Sequence, residues 1–476
     1  MHNERRILVN TAVLGLSDGL GQLANFLLVI SFARVFGAAT LGHYSVAMAV
    51  GAVAALFVSF GTQDMLIRDF SRDSTHVPAT LGTLIPMQAL LALIAWLIAC
   101  VVTVALIRDR AAIALVMAVC GYQILLTLAS LLLVPLRAKE LMHWSAGGNL
   151  AHRLLILLIG LAVIRLGGSA ASVCLAQIVG ALALIAFAWI QGSRRFGRPT
   201  LRYAPSQALS LFRQALPFFG VDALSILYAR GALIILSALA ASHFVGLYAA
   251  ADRFMVAAAL ISTMFNSAVY PAVARISHVS IRDAQALIAR CVRILLVLCF
   301  PIAILVTIYA AEIVTLVFGA SYLGAAKALQ VLVWSLPIRG TQALMASQLA
   351  AMDQQAGLAR ARAIGLCAFC VLGPLLILAF GYVGAAWAVL LCDVVQFTLH
   401  WSLLRKQQAE PPLTKAVLIP GAAAALTAAA SVALGPLHTP IRLLMVILVL
   451  IAGMFALGAV RLHDLRFLRA VLARKA

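Results

Sequence analysis

Charged residues are scarce in this sequence. They make up only 11% of the 476 residues, and Asp and Glu together number 15, whereas soluble proteins carry about 25% charged residues. Hydrophobic residues account for 64% of the chain, and the mean hydropathy is +1.07. A water-soluble enzyme is therefore excluded, and the composition indicates an all-α polytopic membrane protein.

Motifs for covalent chemistry are also missing. The sequence contains no HExxH, GxSxG or Walker-type glycine loop, and its ten histidines are scattered, which disfavours catalysis and ATP-driven transport. All eight cysteines lie in apolar runs, and the CxxC of Cys367 and Cys370 has no flanking metal ligands, so we expect eight small core residues. The formal net charge is +20, and we interpret the placement of these positive charges as a result of membrane topology rather than of nucleic-acid binding. We therefore expect that the protein is not an enzyme and that it binds no metal, cofactor or nucleic acid.

Apolar runs predict about fourteen transmembrane helices, each long enough to cross roughly 30 Å of hydrocarbon. The first run reaches about Phe36, too far for a signal peptide, so we expect it to remain as the first span. The predicted spans are 8–34, 44–67, 79–107, 111–136, 145–164, 171–191, 215–240, 247–272, 291–311, 326–350, 357–379, 383–404, 413–435 and 441–461.

Positive charge is distributed unequally between the two sides of this arrangement. If the N-terminus is cytoplasmic, 25 of the 35 Lys and Arg residues fall in inside segments and six in outside segments. The positive-inside rule therefore predicts that both termini are cytoplasmic. The basic segments, including the tail 461–476, are expected on the cytoplasmic surface, near membrane lipids.

An internal repeat divides the chain. A shift of 204 residues places Asp18 on Asp222, Gly42 on Gly246 and Tyr44 on Tyr248. Because each copy holds six helices, the copies share an orientation, which predicts pseudo-two-fold symmetry about the membrane normal. The predicted domains are an N-lobe (1–191), a basic linker (192–214), a C-lobe (215–405), and helices thirteen and fourteen with the tail (406–476).

Eight of the charged residues that fall inside predicted spans are candidate functional residues, because exposure of each to lipid would cost about 2.5–3.5 kcal/mol. We expect them to line an interior cavity, although pairing with one another as buried ion pairs stays open. They are Asp18, Asp222, Asp252, Asp393, Arg153, Arg230, Arg253 and Arg339.

Polar side chains recur at helical spacing in the first and eighth spans, which predicts two polar helix faces. A cavity lining explains them, and so does interhelical hydrogen bonding. They are Thr11, Asp18, Gln22 and Asn25 in the first span, and Tyr248, Asp252, Thr263, Asn266 and Tyr270 in the eighth. Pro217 and Gly220, just before Asp222, predict a mobile bend.

Several strings occur in an order and spacing typical of one transporter family. They are ARVFGAATLGHYSVA (33–47), GTQDMLIRDFSRD (61–73), VGLYAAADRF (245–254), LVFGASYLGAAKALQVL (316–332) and FGYVGAAWA (380–388). From about residue 7 to 405 the chain resembles the polysaccharide transporters, the lipid-linked oligosaccharide (O-antigen type) flippase branch of the multidrug, oligosaccharidyl-lipid and polysaccharide exporter superfamily.

This resemblance implies two six-helix lobes around a cationic cavity, and a flippase for an undecaprenyl-pyrophosphate-linked repeat unit in the bacterial inner membrane. Surface polysaccharide biosynthesis would be its pathway, with the polymerase and export machinery as partners. The candidate substrate-binding residues are Arg34, Arg153, Arg230, Arg253, Arg339, Gln22, Asn25 and Asn266. The candidate proton- or sodium-coupling residues are Asp18, Asp222, Asp252 and Asp393.

Two alternatives remain. A drug or metabolite exporter of the same superfamily would prefer an aromatic, acidic cavity for organic cations, which four arginines inside the spans disfavour. A membrane polysaccharide polymerase or ligase would usually bring a long outward loop, whereas the longest predicted outward connection, 312–325, is short.

Overall fold

A computed structural model gives the fold. It describes residues 2–106, 109–202, 204–277, 279–412 and 414–433, with the pairs 445–446 and 448–449. Throughout these parts of the chain all regular structure is helical, and the predicted all-α class is confirmed. The tail 461–476, most of the predicted span 441–461, and the side chain of Thr11 lie outside the described residues.

The described helices follow one another with short connections. In chain order they are α1 (His2–Ser59), α2 (Thr62–Arg72), α3 (Val77–Leu106), α4 (Arg110–Ala138), α5 (Met142–Arg165), α6 (Ala170–Phe196), α7 (Pro205–Leu239), α8 (Ser242–Ser277), α9 (Ile281–Ile308), α10 (Ala310–Phe318), a 3-10 turn (Ala320–Tyr322), α11 (Ala325–Leu332), α12 (Ser335–Ala351), α13 (Gln355–Lys406) and α14 (Thr414–Ala433).

Two of these helices are pairs of helical arms joined at a glycine. Gly37 in α1 has φ 79°, and Gly381 in α13 has φ 62°, backbone conformations that a side chain strains. The apolar part of α1, Ser17–Ser59, has 43 residues and α13 has 52, or about 65 and 78 Å at 1.5 Å per residue. Each therefore has length for two membrane crossings, as the predicted pairs of spans require.

Eight of the described helices are long and apolar enough to cross a membrane. On α3 the large apolar side chains of Leu93, Ile98 and Val101 are exposed, Val101 by 70%. Such a surface suits contact with lipid rather than water. The protein is a multi-pass membrane protein. The eight are α1, α3, α4, α5, α6, α7, α9 and α13.

The predicted span 44–67 is wrong at its C-terminal end. Phe60 (φ 47°) and Gly61 (φ 70°) both adopt left-handed backbone, which ends the helix at Ser59. The chain then forms the separate helix α2, which exposes three of its four charged residues and buries Met65, Leu66 and Phe70. This amphipathic pattern is typical of a helix at a membrane surface.

The predicted spans 291–311 and 326–350 also differ from the structure. The first corresponds to α9, which begins earlier and ends at Ile308 before the short α10. The second is divided into α11 and α12 near Val333. Pro337 stands in the first turn of α12 and has no N–H for the carbonyl of Val333, so a continuous helical ladder cannot form there.

Helix contacts divide the chain into two compact units, Met1–Ala249 (unit 1) and Ala250–Ala476 (unit 2). In unit 1, α4 packs against α1, α3 and α6, and α7 packs against α1, α2 and α3. In unit 2, α12 packs against α9 and α13. The lobe boundaries predicted at 191 and 215 stay predictions.

A reciprocal glycine contact in unit 1 supports the predicted repeat. A Cβ on Gly42 would overlap the carbonyl oxygen of Ser242, and a Cβ on Gly246 would overlap that of Ala38. Both pairs, 42 with 246 and 38 with 242, are related by the same shift of 204 residues. Two surfaces that contact each other through equivalent residues are what a two-fold relation produces.

The helix breaks beside this contact are equivalent too. Gly37 interrupts α1, and the connection between α7 and α8 lies at Ala240 and Ala241. The shift of 204 residues places Gly37 on Ala241. The first arms, the breaks and the second arms therefore correspond between the two copies at this junction.

Candidate functional site

A polar cavity of about 360 Å³ lies in unit 1 where the end of α1 meets α2, α4 and α7. Carboxylate, amide and hydroxyl side chains line it, together with Ala52, Ala55, Leu56, Gly61, Leu126 and Ile226. The polar lining residues are Ser59, Gln63, Asp64, Gln123, Thr127, Ser130 and Asp222.

Helix α4 supplies one wall because its two faces differ. Gln123, Thr127 and Ser130 recur every four and three residues and therefore share one face. Gln123 Nε2 donates a hydrogen bond to the carbonyl oxygen of Met48 at 3.2 Å and so holds α4 against α1. The opposite face, with Ile124 and neighbouring apolar residues, lines an apolar groove of about 570 Å³ shared with α3 and α6.

Two carboxylates contribute to the polar cavity. Asp222 on α7 is one of the predicted coupling residues, and Asp64 in the first turn of α2 was not predicted. The signal that could have identified Asp64 is the amphipathic pattern of TQDMLIRDFSR, which marks a surface helix rather than the end of a span. Two carboxylates in one cavity favour cations and hydroxyl donors and repel anions.

Arg153 on α5 lies against the predicted polar face of α1. Its Nη1 is 3.5 Å from the carbonyl oxygen of Asp18, to which it donates a hydrogen bond. Gly21 makes room for it, because a Cβ there would come 2.6 Å from the Cδ of Arg153. Gln22 and Asn25 are half-buried. The structure therefore brings Arg153 next to the part of α1 that holds Asp18 and Gln22.

Arg339 and Asp393 form an ion pair inside unit 2. Arg339 Nε on α12 donates to Asp393 Oδ2 on α13 at 2.7 Å. Gln342 Nε2 donates to the backbone carbonyl of Asp393. For this pair the ion-pair interpretation of the intramembrane charges is confirmed. Asn266 Oδ1, in the same unit, accepts a hydrogen bond from Ser347 Oγ at 2.7 Å.

The remaining candidates lie on three different helices, α1, α7 and α8. Arg34 is exposed near the end of the first arm of α1, and Arg230 on α7 is half-buried. Asp252 and Arg253 on α8 are also half-buried. Their roles in substrate binding and coupling stay predictions.

Buried polar side chains connect the helices of unit 1, and the sequence analysis did not predict these contacts. Gln177 Nε2 donates to the hydroxyl of Tyr44 at 2.9 Å, which joins α6 to α1. The ring of His152 on α5 stacks on Tyr122 of α4, with centroids 6.0 Å apart. Such contacts fix neighbouring helices in a membrane, where hydrogen bonds and packing hold helices together.

Cysteine placement corrects one expectation. Six of the eight are buried or half-buried, but Cys367 and Cys370 are exposed, one turn apart on α13. They are not core residues, because both side chains lie on an exposed face of this helix. Among the described residues no group of three or more His, Cys, Asp or Glu side chains is arranged to hold a metal ion.

Comparison with known families identifies the chain's relatives. A family model described as polysaccharide biosynthesis protein matches residues 7–277. The chain belongs to this family. The matched range includes Arg153 and every residue that lines the polar cavity. The match confirms the resemblance inferred from the sequence strings.

Two individual proteins that the chain is similar to are named as flippases. The chain is 29% identical over 160 residues to the probable low-salt glycan biosynthesis flippase Agl15 of Haloferax volcanii, a match that spans 33% of this chain and 34% of that protein. The fold is similar to lipid II flippase MurJ in its inward closed conformation, with TM-score 0.76, 14% identity, and 95% and 99% of the two chains covered.

A further solved structure extends the likeness beyond flippases. It is the inward-facing conformation of a multidrug resistance MATE family transporter of the MOP superfamily, with TM-score 0.58, 12% identity, and 84% and 95% of the two chains covered. These three relatives are named as flippases or transporters, and none is named as an enzyme. The fold of this polysaccharide biosynthesis family member is a transporter fold.

Proposed function

We propose that this protein is a flippase that moves an undecaprenyl-pyrophosphate-linked oligosaccharide across the bacterial inner membrane by ion-coupled alternating access. The observation that carries the proposal is the polar cavity, a pocket of hydrogen-bonding side chains among membrane-spanning helices of a polysaccharide biosynthesis family member. Surface polysaccharide, as exopolysaccharide, capsule or O-antigen, is the pathway that would use it.

The cavity chemistry matches sugar hydroxyl groups. The carboxylates of Asp64 and Asp222 accept hydrogen bonds, and the amides of Gln63 and Gln123 both donate and accept. The pyrophosphate belongs elsewhere, because two carboxylates would repel it. Arginine binds phosphate oxygens bidentately and keeps its charge when partly desolvated, which favours Arg153 and the other candidate arginines for that group.

Coupling and cellular arrangement complete the proposal. Asp18, Asp222 and Asp252 are the candidate sites for proton or sodium coupling, since a desolvated carboxylate favours neutralisation and Asp222 and Asp252 are half-buried. The fourth predicted coupling residue, Asp393, forms an ion pair with Arg339. Two six-helix lobes, 1–191 and 215–405, would move about the linker 192–214. We place both termini in the cytoplasm, and the polymerase and export machinery of the pathway are the proposed partners.

A second candidate function has one observation in its favour. Asp64 and Asp222 in one cavity suit an organic cation, the substrate class of a drug or metabolite exporter. A polar, largely non-aromatic lining offers such a cation no ring to stack on, which weakens this alternative.

Depletion of the protein in its native host tests the two candidates. Accumulation of lipid-linked repeat units that face the cytoplasm, with loss of surface polysaccharide, supports the flippase. Unchanged glycan with increased sensitivity to cationic drugs supports the exporter instead. Complementation with Arg230→Ala should then fail to restore glycan export at wild-type protein abundance, while Asp353→Asn, an exposed loop change, should restore it.

A further inference from the structure

The Arg339–Asp393 pair is asymmetric in its access to ligands. Asp393 has a side chain only 1% exposed, whereas 42% of the Arg339 side chain is exposed. The Asp393 carboxylate is therefore buried within the helix packing, whereas the Arg339 side chain is accessible to a ligand. The contact between them runs from Nε of Arg339 to Oδ2 of Asp393 at 2.7 Å.

Helix packing holds the carboxylate in place. Gln342, one turn after Arg339 on α12, donates its side-chain amide to the backbone carbonyl of Asp393 on α13. This bond fixes the register between the two helices at the level of the pair. A buried carboxylate needs a compensating charge, and removal of its partner leaves an uncompensated anion at considerable cost.

We propose that Asp393 is a positioning residue that binds Arg339 in the absence of substrate. A phosphate group of the substrate then displaces Asp393 from the Arg339 guanidinium. This inference rests on the proposed function, since it assigns the anionic part of that substrate to Arg339. Binding exchanges the Arg339–Asp393 contact for a contact between arginine and phosphate. No covalent bond is made or broken in this exchange.

The exchange is reversible for a physical reason. Pyrophosphate carries more negative charge than one carboxylate and binds the guanidinium group through two oxygens. The substrate can therefore displace the Asp393 carboxylate from Arg339. Displacement of the arginine breaks the ion pair of a buried carboxylate, which is costly, and this cost favours the return of the guanidinium to Asp393 once the substrate has left. Asp393 thereby weakens substrate binding and promotes release.

A binding measurement on the full-length protein tests this competition. Purified protein in lipid nanodiscs is titrated with undecaprenyl pyrophosphate at fixed pH and ionic strength. Asp393→Asn, which removes the competing charge and keeps the size, should bind this probe at least about tenfold more tightly than the wild type. Arg339→Gln should bind weakly, and the double variant should show no gain over Arg339→Gln.

The direction of change separates positioning from a structural role, because damage to the fold weakens binding rather than strengthening it. The matched control is Asp353→Asn, the same chemical change in the exposed turn between α12 and α13, and its affinity should equal that of the wild type. An affinity of Asp393→Asn equal to or weaker than that of the wild type overturns the proposal.

The charge exchange Arg339→Asp with Asp393→Arg provides a test that keeps an ion pair. It places the arginine at the buried position and the carboxylate at the accessible one, so the protein should fold and lose probe binding. Wild-type binding by this variant also overturns the proposal. Absence of binding by the wild type itself contradicts the proposed substrate rather than the role of Asp393.

Discussion

The second arm of α1 contacts its neighbours at both ends, and the two contacts are built in opposite ways. At one end Gly42 meets Gly246 of α8 backbone to backbone. At the other, the ring of Phe60, just beyond the arm, stacks on Phe219 of α7 with centroids 4.3 Å apart, and Phe57 lies 5.7 Å from the same ring. The first contact depends on missing side chains and the second on large ones.

This difference teaches how each contact responds to change. Where two backbones touch, any added atom must separate the helices, so the response is all or none. Where rings stack, the contact is a sum of many small dispersion terms and weakens by degrees. In the predicted topology the glycine contact lies toward the periplasm and the ring contact toward the cytoplasm.

The largest effect is expected for Gly246→Leu. Even a Cβ at this position would overlap the carbonyl oxygen of Ala38, and a leucine side chain forces α8 away from α1. We expect loss of the folded protein from the membrane, or a fall in the free energy of unfolding of more than about 3 kcal/mol. The measurement is membrane abundance together with reversible unfolding in mixed detergent micelles.

Gly147→Ala is the control for glycine replacement in general. Gly147 is exposed on α5, and no atom of a neighbouring residue lies within 4 Å of the place that an added methyl group would take. Alanine there should leave stability unchanged or raise it slightly, because it restricts the unfolded chain and favours the helix. Equal loss in both variants would show that the contact between Gly42 and Gly246 is not special.

An intermediate effect is expected for Phe219→Ala. This change removes both ring contacts and leaves the backbone intact, and each aromatic pair contributes about 0.5–1.5 kcal/mol. We therefore expect the free energy of unfolding to fall by about 2 kcal/mol, measured in the same micelles. Phe219→Leu should recover part of this loss, whereas no loss in Phe219→Ala would mean that the rings do not stabilise this end of the arm.

The equivalence of the two glycines could be inferred from the sequence, whereas their contact and the ring contact could not. The shift of 204 residues aligns Gly42 with Gly246, because a repeat preserves residues that a two-fold contact needs. The ring contact depends on the left-handed backbone at Phe60 and Gly61, which redirects the chain into α2. Gly61 and the polar residues that follow it are the sequence signal of this break, and a prediction from hydropathy alone continues the span to residue 67.

Charged residues show the same limit. Their placement inside spans is predictable, since composition alone shows which charges are surrounded by apolar sequence. Which of them pair is not, because pairing depends on which helices are neighbours. Arg339 and Asp393 are 54 residues apart and meet only because α12 packs on α13. Asp64 is missed when hydropathy alone extends the preceding span to residue 67, although the amphipathic pattern of the helix that carries it indicates a surface helix.

The smallest effect is expected for Arg68→Gln, at the edge of the ring contact. Arg68 on α2 lies 5.5 Å from the ring centroid of Phe218 on α7, and its Nε donates to Asp69 Oδ1 at 2.9 Å. Both members of the ion pair are substantially exposed, and exposed pairs and cation–π contacts each contribute under about 1 kcal/mol. We expect a loss of about 0.5–1 kcal/mol in the free energy of unfolding, decreasing at high salt as the charges are screened.

Phe218→Leu should give a similar loss, and the double variant should lose less than the two single variants combined. Strictly additive losses would show that the guanidinium and the ring do not stabilise each other, and that α2 is held to α7 by the buried Met65, Leu66 and Phe70 alone.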